Sequence, residues 1–151
     1  MPFEDSSPIP TDYCIRARAY RAKTDCVRFA STGDLDIVTN EFNSEPQVLI
    51  SNLAAKKTIR FLKVALVGSK SNRNGIGATV TVSMEGMKIT QVQDGKSGYL
   101  SQSVLPLYFG LGKSEQVDRI EVQWPSGERQ TVLKPSPINT TIQIREGQAL
   151  L

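Results

Sequence analysis

The chain has no histidine. That absence excludes a Ser-His-Asp triad, a Cys-His pair and any histidine metal site. Its two cysteines, Cys14 and Cys26, are too few for a four-cysteine zinc site. They form either one disulfide around a short loop or two free thiols, and spacing alone leaves both open. No run of about 18 apolar residues exists, so no membrane span is expected. The opening "MPFEDSSPIP" lacks the basic start and apolar stretch of a signal peptide. Two expectations follow: the protein is cytosolic, or the chain is a piece of a larger secreted one. A large excess of either sign of charge is lacking too. The net charge of +3, from 18 basic and 15 acidic residues, is too mild to imply a nucleic-acid partner.

What is present points to one domain rich in turns. The chain has 151 residues, a modest hydrophobic content of 39%, 11 glycines and 8 prolines. The first 32 residues show no sustained period, and a helix over Arg16 to Lys23 would have only a thin apolar face. Residues 1–32 are therefore expected to be weakly structured. From Gly33 onward the signals are those of β-strands. Leu35–Thr39 and Gln47–Ser51 read as a hairpin, and Ala54–Lys57 as a polar break. Thr58–Gly68, apolar on both faces, reads as a central strand. Gly77–Met84 alternates, with Ala78, Val80, Val82 and Met84 on one face. Met87–Gln93 follows a Glu-Gly turn, but Val92 has the wrong parity, and a bulge near Thr90–Gln91 would restore it.

Val117–Trp124, Arg129–Leu133 and Thr140–Glu146 complete the set. Strands of this kind without intervening helices predict an all-β fold, an antiparallel β-sandwich or a barrel-like sheet, preceded by a short N-terminal β-hairpin. Parallel pairing needs crossovers of about a dozen residues or more, and most loops are shorter.

The single tryptophan ends a strand against Pro125-Ser126-Gly127. Proline at the second position and glycine at the fourth fit a β-turn. Trp124 continues the inward face of Ile120 and Val122, so it is expected to be buried; the alternative is an exposed ligand platform. Phe109 and Leu107 are expected to close the sandwich edge. Gly110 and Gly112 belong to the irregular segment and to no dinucleotide motif, because Glu115 occupies the third glycine position. "DGKS" at Asp94–Ser97 is no phosphate loop, since Thr90 stands where glycine is required. The irregular stretch Asp94–Gly112 is the candidate ligand-binding surface, with Lys96, Tyr99, Gln102 and Tyr108 on loops carried by a rigid sheet. The carboxylates Asp94, Glu115, Asp118, Glu121 and Glu128 are scattered, so no acid/base pair and no enzyme activity is expected.

"SNRNGIGATV", "GKSGYLSQS", "LYFGLGKSEQVDRIEVQWPSG" and "TTIQIREG" together resemble the ASPIC/UnbV family over Ser71 to Gly147. That family's domain follows a β-propeller of FG-GAP/VCBS repeats in secreted or surface proteins. Gly33–Asn52 is similar to the tail of one such repeat. The repeat's calcium loop is defective here: Arg28, Ala30 and Thr32 stand at ligand positions, and only Asp34 and Asp36 remain. No cofactor is expected, calcium belonging only to an intact propeller parent. The resemblance implies a division into residues 1–32, a repeat remnant at 33–55 and a β-domain at 58–148. It also raises the expectation that the chain is a piece of a longer propeller protein, or that a reading-frame break lies near residue 32. The implied function is a non-catalytic extracellular or cell-surface domain for adhesion or ligand binding, packed beside a propeller. Two alternatives are a carbohydrate-binding accessory domain using Tyr99, Tyr108 and Trp124 as platforms, and a supporting domain of a calcium-dependent propeller enzyme. The implied partners are a protein or glycan ligand, or a second copy across an exposed sheet edge.

Overall fold

The computed structural model describes residues 22–27, 35–41, 47–98, 101–135 and 137–148. Strands β1 (Ala22–Val27), β2 (Asp36–Glu41) and β3 (Gln47–Leu49) form one antiparallel sheet in that order. The expected hairpin is its β2–β3 half, with Ile37 opposite Leu49 and Val38 opposite Val48. β1 arises inside the stretch expected to be weakly structured, and Ala22 and Lys23, at the end of the segment whose helix would have only a thin apolar face, are extended. Pairing with β2 supplies the backbone partners that this segment lacks in isolation, so tertiary context overrides propensity. The rest of Arg16–Lys23, with Cys14, lies outside the described residues. A one-turn helix, α1 (Leu53–Lys56), replaces the polar break and closes with Lys57 N–H on the Leu53 carbonyl at 2.9 Å. No helix among the described residues is long and apolar enough to cross a membrane.

The β-domain begins with β4 (Phe61–Val67), β5 (Thr79–Met84) and β6 (Met87–Val92). A short ribbon follows, β7 (Lys96–Gly98) with β8 (Ser101–Gln102), and the backbone of β1 comes close to it. β9 (Leu107–Gly110), β10 (Arg119–Gln123), β11 (Arg129–Leu133) and β12 (Thr140–Arg145) complete the chain. One sheet has the order β11-β10-β5-β6 and is antiparallel throughout; the other is β12-β4-β9. The architecture is an all-β sandwich of largely antiparallel sheets, without barrel closure. One pair departs from the antiparallel expectation: β12 lies parallel to β4, from Thr140 opposite Leu62 to Arg145 opposite Val67. The short-loop argument governs sequence neighbours only. Between β4 and β12 nearly the whole domain serves as the crossover.

Alternation sends every second side chain into the space between the sheets. Val80, Val82 and Met84 of β5 and Ile120 and Val122 of β10 meet Leu62, Val64, Leu66, Phe109 and Ile144 from the other sheet, all buried. Burying each such side chain fully contributes roughly 1.5–3 kcal/mol relative to leaving it exposed.

Glutamine amides bridge the two open sides of the sandwich. The β5–β6 ladder runs without a bulge from Thr79 opposite Val92 to Met84 opposite Met87. Gln91 therefore occupies a core-facing position opposite Val80, and Val92 points outward, exposed. The bulge expected at Thr90–Gln91 is absent because Gln91 has a use for that position. Its Nε2 donates to the Tyr108 carbonyl of β9 at 2.8 Å, bridging the two sheets. On the opposite side Gln130 of β11, also core-facing, donates to the Arg145 carbonyl of β12 at 3.2 Å.

Candidate functional site

The densest polar cluster gathers on Glu146, directly after β12. Its side chain is buried, and its backbone N–H continues the pairing with β4 by donating to the Val67 carbonyl at 2.9 Å. The chain leaving β4 turns back at Gly68, where an added Cβ would sit 2.2 Å from the Asn72 carbonyl oxygen. This turn aims three consecutive N–H groups at one carboxylate oxygen: Ser69 at 2.8 Å, Lys70 at 2.8 Å and Ser71 at 2.7 Å, all to Oε2. The Ser71 and Ser126 hydroxyls donate to Oε1. Burial by itself raises the carboxyl's pKa, but the Ser126 hydroxyl, the Ser71 N–H and hydroxyl and the Ser69 N–H outweigh it, and the pKa falls from 4.5 to about 2. The group is thus a permanent anion at neutral pH. It ties the ends of β4 and β12 to the turn between β10 and β11.

That turn is the Trp-Pro-Ser-Gly segment. Gly127 N–H donates to the Trp124 carbonyl at 2.9 Å, and Gly127 has φ +88°, as a β-turn with glycine in this position allows. Pro125 is exposed at its tip. Trp124 is only 2% exposed, and its Nε1 donates to Gln130 Oε1 at 3.1 Å. It is the buried end of the core, not a platform. Gly75 packs beneath it: at φ +63°, an added Cβ would lie 2.8 Å from Leu66 Cβ and 3.4 Å from the indole.

The 68–77 loop has a second face. Asn72 clamps it by accepting from Ile76 N–H at 2.8 Å and donating to the Ile76 carbonyl at 2.7 Å. Asn74 and Ile76 then form one wall of an open groove of about 470 Å³. Asp94, Gly95 and Lys96 form another, and Gln102, Ser103 and Val104 the third. Asp94 Oδ1 accepts Lys96 N–H at 2.9 Å, and the Gly95 carbonyl accepts Ser103 N–H at 3.1 Å, so the two loop walls are tied together. Lys96 and Gln102 are exposed, and exposed Ile76 and Val104 give the groove an aliphatic rim. Glu146 thus acts on the groove at one remove, since the loop it anchors carries Asn74 and Ile76.

Of the expected ligand-binding residues, Lys96 and Gln102 meet at this groove, whereas Tyr108 does not line it. Tyr108 sits half-buried on β9, its ring stacked on Phe61 with centroids 5.4 Å apart, and Lys63 Nζ lies 5.9 Å from the Tyr108 ring. Tyr99 lies outside the described residues. Phe109 is buried in the core; Gly110 pairs opposite Phe61, and Gly112, at φ +58°, turns the chain out of β9. Asp36 is fully buried, and its Oδ1 accepts Ser51 N–H at 2.9 Å, joining β2 to the segment after β3; Asp34 lies outside the described residues. Among the described residues no three Cys, Asp or Glu side chains are grouped to hold a metal ion. Sequence reasoning missed Glu146, Asn74 and Ile76. Glu146 has a weak local signal, an acid beside Gly147 at a strand end, but its donors come from far earlier in the chain.

The family described as ASPIC and UnbV has a model that matches residues 68–151 of this chain. No curated protein matches it.

Proposed function

Because the chain belongs to the ASPIC and UnbV family, we propose that its accessory β-domain is a non-catalytic binding module that takes a protein segment in the Asn74–Val104 groove, in an extracellular or cell-surface setting. The observation that carries this reading is the groove itself: its Lys96 and Gln102 side chains face solvent, while its rim is aliphatic. Aliphatic contacts with a few placed polar groups suit a peptide better than a sugar ring, which favours aromatic faces. Trp124 is buried and Tyr108 is stacked away from the groove, which weakens the glycan reading. The non-catalytic part draws support from Glu146, whose carboxyl near pKa 2 is too weak a base to take a proton from the Ser71 or Ser126 hydroxyl.

The β2–β3 hairpin is the part we read as a repeat remnant that packs beside another β-structure, such as a propeller blade. Val48, Leu49 and Ile50 at its β3 edge are all exposed, which suits such a neighbour. A second copy across this edge would give a dimer in sedimentation.

The groove is tested with a displayed peptide library selected on the wild-type protein, with a glycan array run beside it. The expected result is a set of peptides whose affinity drops roughly tenfold or more in the Lys96→Ala/Gln102→Ala variant. Peptides that bind this variant unchanged would defeat the assignment of the site, and array signals in place of peptides would move the ligand class to sugars.

A further inference from the structure

The outward face of the β11-β10-β5-β6 sheet carries a charge asymmetry that the net charge conceals. Register places its outward residues in three cross-strand rows. The first is Leu133, Arg119, Ser83 and Lys88; the second is Thr131, Glu121, Thr81 and Thr90; the third is Arg129, Gln123, Thr79 and Val92. Lys88, Arg119 and Arg129 face the single carboxylate Glu121, which lies 3.3 Å from Arg119. Lys88 and Arg129 are exposed and make no ion pair among the described residues. Lys88 and Arg119 stand two strands apart, roughly 10 Å, and Arg129 lies four residues along the sheet from the Arg119 row, roughly 14 Å away. The cations therefore span the sheet from β6 to β11, with none on β5.

Small polar side chains fill the space between them. Thr81 and Thr90 hydroxyls bond to each other at 2.9 Å. Ser83, in the row between Arg119 and Lys88, is 9% exposed, and its hydroxyl is the one buried side-chain polar atom among the described residues with no hydrogen-bond partner. The face holds no aromatic ring, and its only apolar residues, Leu133 and Val92, stand at opposite corners.

We propose that this face binds a linear anionic polysaccharide, with Lys88, Arg119 and Arg129 holding successive sulfate or carboxylate groups and the threonine hydroxyls meeting the sugar hydroxyls between them. A protein partner would want a central aromatic or large apolar anchor, which this face lacks. Single-stranded nucleic acid would want exposed rings for base stacking, also lacking. A neutral glycan would leave the cations without partners. A linear polyanion satisfies both the charges and the hydroxyl-rich centre. The surface is separate from the Asn74–Val104 groove, and neither reading depends on the other.

The experiment titrates the full chain with labelled heparin oligosaccharide, polygalacturonate oligomer, neutral dextran and a single-stranded oligodeoxynucleotide. Binding to at least one of the two acidic oligosaccharides is expected, weakening steeply as salt rises from about 50 to about 200 mM. Which of the two binds more tightly distinguishes sulfate from carboxylate recognition. Lys88→Gln/Arg129→Gln should weaken it roughly tenfold or more, Lys88→Arg should retain it, and the groove variant Lys96→Gln should leave it unchanged. Unaltered Trp124 fluorescence confirms that each variant is folded. The proposal is overturned by failure of both acidic oligosaccharides to bind, by equal binding of dextran, by binding of the oligodeoxynucleotide at the same residues with equal strength, or by an equal loss in Lys96→Gln and Lys88→Gln/Arg129→Gln.

Discussion

Around Glu146 and around the Asn74–Val104 groove the chain uses similar material: serines, one carboxylate and glycine turns. At Glu146 the polar groups are spent inward. Three N–H groups and two hydroxyls converge on a buried carboxylate, and the ends of β4, β10 and β12 are held by it. At the groove, Asp94 binds a loop N–H, but Lys96 and Gln102 face solvent. A polar cluster whose donors and acceptors are matched internally contributes rigidity. One that leaves groups facing outward can recognise something else. The 68–77 loop joins the two, its front half on Glu146 and its back half on the groove.

Four substitutions test this contrast. Trp124→Ala should have the largest effect, about 3–5 kcal/mol of lost stability, because it empties the core end that Gly75 and Leu66 pack against; chemical denaturation measures it, and a loss below about 1 kcal/mol would contradict the burial. Glu146→Gln should come next. The amide keeps the shape but loses the charge and one acceptor oxygen, so the Ser71 and Ser126 hydroxyls lose the acceptor they now share, and melting should fall by on the order of 10 °C. Its pH signature is specific. The folded carboxyl sits near 2 against an ordinary 4.5, so its stabilisation is complete above that ordinary value and is lost as pH falls toward 2. Wild-type stability should therefore decline with acidification through this window, and Glu146→Gln should show a flatter decline. Equal slopes would mean the carboxylate is not held as described. Lys96→Ala and Gln102→Ala should have the smallest effect, within about 0.5 kcal/mol, because both are exposed. A large loss at either would make the groove wall a structural element after all.

Much of the sandwich was legible from alternation. Val80, Val82 and Met84, and Ile120, Val122 and Trp124, were read as inward and are buried. The Trp-Pro-Ser-Gly turn was legible from residue types, since proline and glycine constrain the same dihedrals wherever the turn occurs. Gln91 is not legible because an inward-facing amide breaks the apolar pattern. Its reason, the Tyr108 carbonyl, lies 17 residues away. Glu146 is illegible for the same cause at longer range, with donors 75 to 77 residues earlier. Nearness in sequence groups Tyr108 with Lys96 and Gln102, yet it stands on β9, stacked on Phe61.

The chain's own order of apolar and polar residues determined where β2 to β6 and β10 to β12 run, which faces of β5 and β10 turn inward and where the lone indole goes, because side-chain alternation is a property of the backbone within a few residues. The tertiary structure decided the parallel return of β12 to β4, the glutamine bridges, the carboxylate held by three distant N–H groups and the pairing of Asn74 with Gln102 across one groove. Each of these depends on which remote group supplies the missing half of a hydrogen bond or a wall, and no local pattern carries that information.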